Sequence, residues 1–570
     1  MKKSKLLFLL LLNVPVVYAQ TEPDAGRLLE DQKKSSQLPS APVRIPKTMP
    51  KEAVKPVAKA DDLRVTVKEF RFDGDIKAFP ITTLQGLVAD LIGKSLTIHD
   101  LQQAADRISA SYRAQGYILA TALLPKQDVT NGIVTFKIFE GKLDRTDGVK
   151  IKGVSLRVHP PVLQEIVQTS VPADQAVQKE SLERALLLIS DLPGISATSK
   201  LEAGTEEGAT RVVVQASEGD LLVPNLSLNN HGNFYTGAYQ LLAGVNVNDA
   251  LGIGDQLGVN LTHSIESLLN SARINYSLPI GSDGWRAGIA YTDLTYRVSG
   301  LQPDPHSAGT AKDWNLNASY PLIRTLQRNL AFTANYDWKR LNTDTNQLPA
   351  SNRRLNMLAL GLNWNHQDTL FGGAVTTASV QAVSGKLDLS GLASDANTTR
   401  SEGHFSKWLW SGERTQSISE EVSLLIQGTG QQAQKNLDQG EKFTLGGPYG
   451  VRAYPVSEAP GDDGYRLTLE PRWSVGRIGD TVDFQLSAFY DTGHIQQNHT
   501  LWTGANLTTP NSYNLSGDGI GMAFTRPGIA DLRVTYAHKL GSNPGASAQG
   551  MDSDGRKYRD RIWFTLNMML

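Results

Sequence analysis

Polar and apolar side chains alternate along most of the chain from residue 222 to the C-terminus, and this alternation limits the possible folds more than any other feature. It is clearest in five segments, 239–248, 271–278, 285–298, 329–339 and 482–491. Successive side chains of a strand point to opposite faces of a sheet. A period of two over roughly 350 residues, without helical periodicity, therefore predicts a large antiparallel sheet.

The connections between the predicted strands fall into two classes. Short turns alternate with long loops such as 299–311, 385–402, 432–462 and 493–514. Sixteen candidate strands begin near residues 222, 238, 255, 270, 285, 312, 328, 354, 372, 403, 421, 463, 481, 515, 530 and 560. Short turns at one end, long loops at the other and an even strand count are typical of an outer-membrane barrel. We expect residues 221–570 to form a transmembrane β-barrel of about 16 antiparallel strands, with both of its ends on the periplasmic side.

The N-terminus has the features of a secretory signal peptide. Lys2, Lys3 and Lys5 precede an apolar segment at 6–17, and Ala19 completes a small-residue cleavage site. The apolar segment is too short to span a bilayer as a helix. We therefore expect residues 1–19 to be a signal peptide that is removed on export.

A short helix and a linker are predicted after the signal peptide. Asp24 can cap a helix in the segment 20–34, where Leu28 and Leu29 lie on one side. Five prolines in the segment 35–61 predict an extended linker, with a reach of roughly 80 Å. Composition alone favours a frayed terminal helix, but such a linker can carry the helix to a distant site.

Two compact α+β units are predicted between the linker and the barrel, at 62–141 and 142–220. The first has strands at 63–72, 117–124 and 133–140 and helices at 82–91 and 98–115. The second has a strand at 149–154, helices at 161–168 and 178–191, and strands at 196–203 and 210–218. Both follow the order βααββ, so they form a repeat by topology although their sequences differ.

The composition gives no sign of catalysis, of cofactor binding or of nucleic-acid binding. Lys and Arg number 56 against 57 Asp and Glu, so the chain offers no excess of basic charge to nucleic acid. The absence of cysteine excludes disulfides and thiolate metal sites. We find no Walker motif, no G-x-S-x-G elbow and no paired-histidine metal site. We expect no enzyme activity, no cofactor and no metal.

The two α+β units resemble POTRA domains, the periplasmic modules that precede certain outer-membrane barrels. In the first unit the matching segments are FDG at 72–74, GKSLT at 93–97, YRAQGY at 112–117, ALLP at 122–125 and FEG at 139–141. Two such units before about sixteen strands resemble the transporter component of two-partner secretion (TpsB type). This family includes haemolysin activators and the transporters of filamentous haemagglutinin and of contact-dependent inhibition toxins.

The most specific part of this resemblance lies in the longest loop and in a later strand. Residues 445–454 read LGGPYGVRAY, which is similar to the family's V-R-G-Y loop motif, and residues 489–493 read FYDTG, which matches its F-x-D-x-G motif. In the family the loop folds back into the barrel, where its arginine meets the aspartate on the inner wall. The resemblance thus implies an inward-folded loop at 432–462, a loop-to-wall latch of Arg452, Tyr454, Phe489 and Asp491, and a loop tip shaped by Gly446, Gly447, Val451 and Ala453.

Alternation along two strands supports an inward-facing Asp491 independently of the resemblance. Asp491 lies opposite an apolar face formed by Phe484, Leu486, Ala488 and Tyr490. In the preceding strand, the face predicted to point inward carries Arg466, Thr468, Glu470 and Arg472. An arginine opposite a carboxylate in a confined lumen can form a bidentate, charge-assisted bond.

The sequence departs from the family pattern at two places. Ala453 replaces the usual glycine of the loop motif, so a positive φ at this residue would be strained. The chain ends at Leu570 rather than at the usual aromatic residue, although Leu570 continues the apolar face of a last strand. This second departure concerns the residue by which the barrel-assembly machinery is expected to recognise the C-terminus, and it leaves the predicted strand intact.

The resemblance implies a pore that recognises an unfolded exported partner through its periplasmic POTRA domains and moves it to the cell surface. The family's cargoes are large adhesins, haemolysins and contact-dependent growth-inhibition toxins, and the sequence does not choose among them. The helix at 20–34 would plug the resting pore. The other implied partners are outer-membrane lipid and the barrel-assembly machinery, and we expect a monomer.

Two other interpretations stay open at this point. A barrel-assembly insertase shares the loop motif, but such proteins usually carry more POTRA units than the two that fit here. A passive porin or a barrel enzyme leaves the two periplasmic units without a role. Only the first interpretation predicts release or display of a large partner protein.

Overall fold

The computed structural model describes residues 23–35, 64–173, 175–206, 208–300, 306–389, 395–479, 481–505 and 507–569. The predicted signal peptide at 1–19 lies outside these residues. So does the predicted linker at 35–61, apart from Ser35, which ends the first helix. Among the described helices, none is both long enough and apolar enough to cross a membrane.

The helix α1 (Ala25–Ser35) precedes the first α+β unit. That unit contains β1 (Arg64–Thr66), β2 (Glu69–Asp73), α2 (Ile81–Val88), β3 (Ser95–Thr97), α3 (Ile98–Ala114), β4 (Thr121–Leu123) and β5 (Ile133–Phe139). The helix α3 begins at Thr97 because the Thr97 side chain accepts from the Asp100 amide at 3.1 Å and the Asp100 carboxylate accepts from the Thr97 amide at 2.8 Å. The predicted strand 63–72 is interrupted because Val67 and Lys68 donate instead to Lys94 and Gly132.

The second α+β unit lies against the periplasmic turns of the barrel. It contains β6 (Lys142–Leu143), β7 (Val149–Lys152), α4 (Pro160–Ser170), α5 (Lys179–Ser190), β8 (Ile195–Ala203) and β9 (Ala209–Glu218). Arg324 of the barrel pairs with Asp191 at 2.6 Å, and the Arg184 guanidinium donates to the Pro321 carbonyl at 2.9 Å. These contacts hold the unit at the mouth of the lumen.

Sixteen antiparallel strands form a closed barrel, which confirms the predicted fold. The barrel strands up to the longest loop are β10 (Leu222–Asn229), β11 (Gln240–Asn248), β12 (Gln256–Ser264), β13 (Leu269–Ile280), β14 (Trp285–Arg297), β15 (Ala308–Arg324), β16 (Arg328–Thr345), β17 (Leu348–Asp368), β18 (Ala374–Asp388), β19 (Gly403–Ser417) and β20 (Val422–Ala433). The loop 434–462 follows and contains the short pair β21 (Phe443–Thr444) and β22 (Pro460–Gly461). The last strands are β23 (Asp463–Ile478), β24 (Val482–Gln496), β25 (Ser512–Arg526), β26 (Ala530–Leu540) and β27 (Asp560–Met569), and β27 pairs with β10 to close the barrel.

Alternation along the strands separates a lipid-facing surface from a lumen-facing surface. On β16 the outward side chains include Trp338, which is 56 % exposed, whereas its neighbour Lys339 points inward and is buried. Tyr465, Leu467 and Leu469 of β23 point outward and are exposed, as the sequence pattern predicts. The lumen is occupied by α1 and by the loop 434–462.

Candidate functional site

The tip of the loop 434–462 is a compact turn that depends on glycine. The Val451 amide donates to the Leu445 carbonyl at 2.7 Å, and the Gly450 amide donates to the Gly447 carbonyl at 2.9 Å. Gly447 has a φ of +107°, and a Cβ on Gly450 would lie 2.0 Å from the Leu445 oxygen. The turn therefore needs these glycines to close, and it projects Arg452 toward the barrel wall.

Arg452 binds two carboxylates on the inner wall. Its Nε and Nη2 donate to the two oxygens of Asp491 at 2.8 and 2.9 Å, and its backbone amide donates to Asp491 at 3.1 Å. Its Nη1 donates to Glu470 at 2.7 Å. Charge-assisted bonds of this bidentate kind fix both the position and the orientation of the guanidinium. The structure thus brings together the Arg452 and Asp491 that the sequence paired.

Three partners of this arrangement were not identified as site residues from the sequence. Glu470 bridges Arg452 and Arg472, which donates to it at 2.9 Å. The Trp563 indole donates to the Arg452 carbonyl at 2.7 Å, and the Thr468 hydroxyl donates to Asp491 at 2.8 Å. The inward face of β23 was a sequence signal for Glu470 and Thr468, whereas nothing in the sequence pointed to Trp563.

The Phe489 ring packs against the Arg452 guanidinium, and glycines on β25 leave space for this ring and for the loop tip. The Arg452 guanidinium lies 3.4 Å from the centre of the Phe489 ring, a cation–π contact. A Cβ on Gly519 would lie 2.4 Å from the Phe489 ring, and one on Gly517 would lie 2.5 Å from the Ala453 methyl group. Gly519 therefore leaves room for the Phe489 ring, and Gly517 leaves room for Ala453 at the loop tip.

The structure gives the conformation of Ala453 and the surroundings of Tyr454. Ala453 is not among the described residues with a positive φ, so alanine is not strained there; the non-glycine residues of this loop with a positive φ are Ser457 and Ala459. Tyr454 is fully buried, with the Lys539 ammonium 4.9 Å from its ring centre, and its hydroxyl has no hydrogen-bond partner among the described residues.

The helix α1 is buried inside the barrel rather than frayed. Asp24 caps it by accepting from the Gly26 and Arg27 amides at 2.9 and 3.2 Å. Leu28 and Leu29 are 2 % and 0 % exposed and belong to an apolar cluster on the inner wall, formed mainly by β13 to β19. Burial of these two leucines is the apolar part of the contact that keeps the helix in the lumen.

Two cations of the wall bind the helix and the loop at the same time. The Lys339 ammonium pairs with Glu30 of the helix and with Glu441 of the loop, both at 2.8 Å. Arg353 pairs with Asp24 of the helix and, at 2.7 Å, with Asp438 of the loop. Lys407 provides a second cation for Glu441 at 2.9 Å. All of these side chains except those of Asp24 and Glu30 are less than 10 % exposed, so the pairs are largely desolvated.

The helix also contacts the loop directly. The Arg27 guanidinium donates to the Ser457 carbonyl at 3.3 Å, and the Ser457 hydroxyl donates to Asp31 at 2.8 Å. Gly26 and Gly440 approach so closely that a Cβ on Gly440 would lie 2.8 Å from the Gly26 Cα. The plug and the loop therefore form one packed unit within the lumen.

Among the described residues, no cluster of three or more His, Cys, Asp or Glu could hold a metal ion. Several charged groups of the lumen are paired with one another, among them Arg452, Lys339 and Arg353. This chemistry suits a lumen that is closed by reversible contacts.

Comparison with known proteins agrees with this architecture. Residues 208–524 match the family model described as haemolysin secretion/activation protein ShlB/FhaC/HecB, and this match covers more than half of the 570 residues. Residues 65–141 match the model described as POTRA domain, ShlB-type. The second α+β unit lies mostly outside these two matches.

Individual relatives extend over most of the chain. The heme/hemopexin transporter protein HuxB of Haemophilus influenzae is 26 % identical over 476 residues, which cover 81 % of each chain. The outer membrane transporter CdiB of Dickeya dadantii is 24 % identical over 77 % of this chain and 79 % of its own. The solved structure of CdiB from Escherichia coli has the same fold, with a TM-score of 0.72 over 96 % of this chain and 99 % of its own at 19 % identity. The chain therefore belongs to the haemolysin secretion/activation protein family, the outer-membrane transporters that secrete a partner protein by two-partner secretion.

Proposed function

We propose that this transporter is a gated conduit, not an enzyme, in which α1 is a removable plug and Arg452 latches the loop 434–462. The observation that carries the proposal is the sharing of Lys339 and Arg353 between helix and loop. Ion pairs can exchange partners, whereas a purely apolar plug would have to expose its whole buried face to water before leaving.

The exported partner is recognised in the periplasm by the POTRA units. Within the described residues, β4 of the first unit pairs only with β5, so its other edge can accept an added strand. Leu123 on this edge is 50 % exposed, and Ile81 and Ile92 are exposed on and beside α2. An extended, partly apolar segment of an unfolded protein fits such a surface.

The direction of transport comes from the partner protein rather than from a nucleotide. The partner threads the lumen after α1 leaves, and its folding at the cell surface prevents its return. The transporter acts as a monomer, and the barrel-assembly machinery inserts it into the membrane. A barrel-assembly insertase is the alternative, and it predicts no release of a dedicated partner.

Co-expression with a large exported partner protein tests the transport role. Deletion of residues 62–220 should abolish release of that protein, while heat-modifiable electrophoretic mobility reports that the barrel is still folded. Normal release by this variant would contradict recognition by the POTRA units.

Deletion of residues 20–34 tests the plug separately from recognition. The purified variant should show a larger conductance than the full chain in planar bilayers, because α1 no longer fills the lumen. An unchanged conductance would contradict the plug, whatever the secretion assay shows.

A further inference from the structure

A large exposed apolar side chain lies within five of the seven periplasmic turns of the barrel, and at the last strand residue before each of the other two. The exposed fractions lie between 45 % and 88 %. The residues are Leu251, Ile280, Leu326, Phe371, Ile418, Ile478 and Ile529. Tight turns are usually made of Gly, Asn, Asp, Ser and Pro, so the aliphatic or aromatic residues within five of these turns need a cause other than turn formation.

Phe371 shows that at least one of these side chains is displayed at a conformational cost. Its φ of 51° and ψ of 38° lie in the left-handed region, which bulky residues rarely adopt. The next two residues, Gly372 and Gly373, also have positive φ. The turn therefore holds a phenylalanine where a glycine would be unstrained, and the ring is 88 % exposed.

The protein's own periplasmic unit does not cover these side chains. The second α+β unit reaches three of the turns through hydrogen bonds: the His159 amide donates to the Gly252 carbonyl at 2.8 Å, Thr169 bonds Ser282 at 2.7 Å, and Glu183 accepts from the Leu326 amide. Its Leu192 and Leu188 side chains lie beside the turn glycines Gly254 and Gly284, not over the exposed apolar side chains. Leu326 is nevertheless 66 % exposed. No described residue of the chain covers these side chains, so their partner lies outside the part of the chain that the structure describes.

At two of the turns the apolar residue continues the lipid-facing surface of the barrel. Ile280 ends the outward face of β13, which also carries Ile274 and Leu278. Ile478 pairs with Val482 on the outward side of β24. On β13 and on β23 the apolar surface thus extends from the membrane-spanning part of the strand to the turn.

The length of the strands places the turns at the periplasmic edge of the bilayer. Trp314 and Trp338 are cross-strand neighbours on the outer face, and two cations, Lys312 and Arg340, are neighbours just beyond them. The two tryptophans therefore mark the extracellular boundary of the apolar band. Leu326 is twelve residues further along β15 and its turn. At about 3.3 Å per residue and a tilt of about 40°, it lies roughly 30 Å below Trp314. The apolar band of such barrels is about 25 Å tall, so the turn tips reach the headgroup region.

We propose that the seven apolar turn residues form a ring of interfacial anchors that insert at the headgroup–acyl boundary of the periplasmic phospholipid leaflet. Isolated apolar side chains gain free energy at this boundary without spanning the membrane. The ring fixes the depth of the barrel mouth, and with it the level at which the second α+β unit lies beneath the membrane.

The absence of native cysteine allows a direct test on the full-length chain. Single cysteines at Phe371, Ile418 and Ile478 are spin-labelled, and the protein is placed in nanodiscs of phosphatidylethanolamine and phosphatidylglycerol. Accessibility to oxygen, which partitions into lipid, is compared with accessibility to a water-soluble nickel chelate. The matched control is Gln347→Cys, at the exposed β16–β17 turn on the extracellular side.

The oxygen-to-nickel accessibility ratio should be several-fold higher at all three sites than at Gln347→Cys. Nickel accessibility equal to that of Gln347→Cys would overturn the proposal. Ile418→Cys and Ile478→Cys keep the test valid if Phe371→Cys relaxes its own turn. Labels that are exposed to nickel in nanodiscs but protected in outer-membrane vesicles would indicate a protein partner, and this result would also overturn the lipid anchor.

Discussion

Replacing Asp491 by Asn tests whether one carboxylate holds the loop 434–462 in the lumen. Asp491 accepts three hydrogen bonds from Arg452 and one from Thr468, and its side chain is 1 % exposed. Asp491→Asn keeps the shape of the side chain and removes its charge. Arg452 and Arg472 would then share the single charge of Glu470.

The expected loss follows from the burial of the pair. Removing one partner of a buried ion pair costs about 3–5 kcal/mol. Because the Arg452 side chain is 15 % exposed and keeps Glu470, the lower end applies, about 3 kcal/mol. Each 1.4 kcal/mol is a factor of ten, so the ratio of released to latched loop should rise by roughly 100-fold.

Hydrogen exchange followed by mass spectrometry measures this ratio for the peptide 445–454 of the full-length chain in nanodiscs. The Arg452 amide reports directly, since it donates to Asp491. The matched control is Asp483→Asn on the same strand, where Asp483 pairs with Arg477 at 2.9 Å and both side chains are exposed. Surface pairs contribute about 0–1 kcal/mol, so this variant should leave the loop unchanged. Exchange in Asp491→Asn within about threefold of the wild type would refute the latch.

Three further predictions concern the contacts around the latch and the second α+β unit. Gly440→Val should raise the conductance of the full chain in planar bilayers, because its side chain would overlap Gly26 and separate the plug from the loop. Gly519→Val should displace Phe489 and increase hydrogen exchange at the loop tip, because the new Cβ would lie 2.4 Å from the ring. Hydrogen bonds from a threonine side chain and from nearby amides lower the pKa of Asp144 in the second unit. The ionised carboxylate therefore stabilises the unit at pH values above about 4, the pKa of an aspartate in an unfolded chain. This contribution is lost as the pH falls toward the lower pKa of Asp144 in the folded unit. Melting followed by fluorescence should show this acid destabilisation in the wild type and less of it in Asp144→Asn.

The sequence pattern predicted the first residues of many barrel strands, and it missed those of strands that extend beyond the membrane. The strands predicted near 285, 328, 403, 463, 530 and 560 begin at those residues. The strand predicted near 354 begins at Leu348, and the one predicted near 312 begins at Ala308. These ends extend past the lipid, where both faces of a strand are polar, and the alternation that reveals a strand then disappears.

The latch illustrates a second limit of the sequence. Alternation put Asp491 and Glu470 on the inner wall, and the loop motif selected Arg452. The sequence pattern could not show that Arg452 would reach both carboxylates. Asp491 is paired across the sheet with Thr468 rather than with Glu470, so the two carboxylates are not direct cross-strand neighbours. Which wall residues meet the loop depends on how deeply the loop enters the lumen. That depth is set by its packing against the glycines of β25.

The burial of the helix α1 could not be predicted from its own residues, because its stability comes from residues far away in the chain. Alone it is an eleven-residue helix with few apolar side chains, and such helices are marginal in water. Inside the barrel its acidic side chains meet Lys339 and Arg353, more than 300 residues away. If the helix leaves, Lys339 keeps Glu441 and Arg353 keeps Asp438. Neither wall cation is then left buried without a counter-charge, so the loop lowers the electrostatic cost of removing the plug.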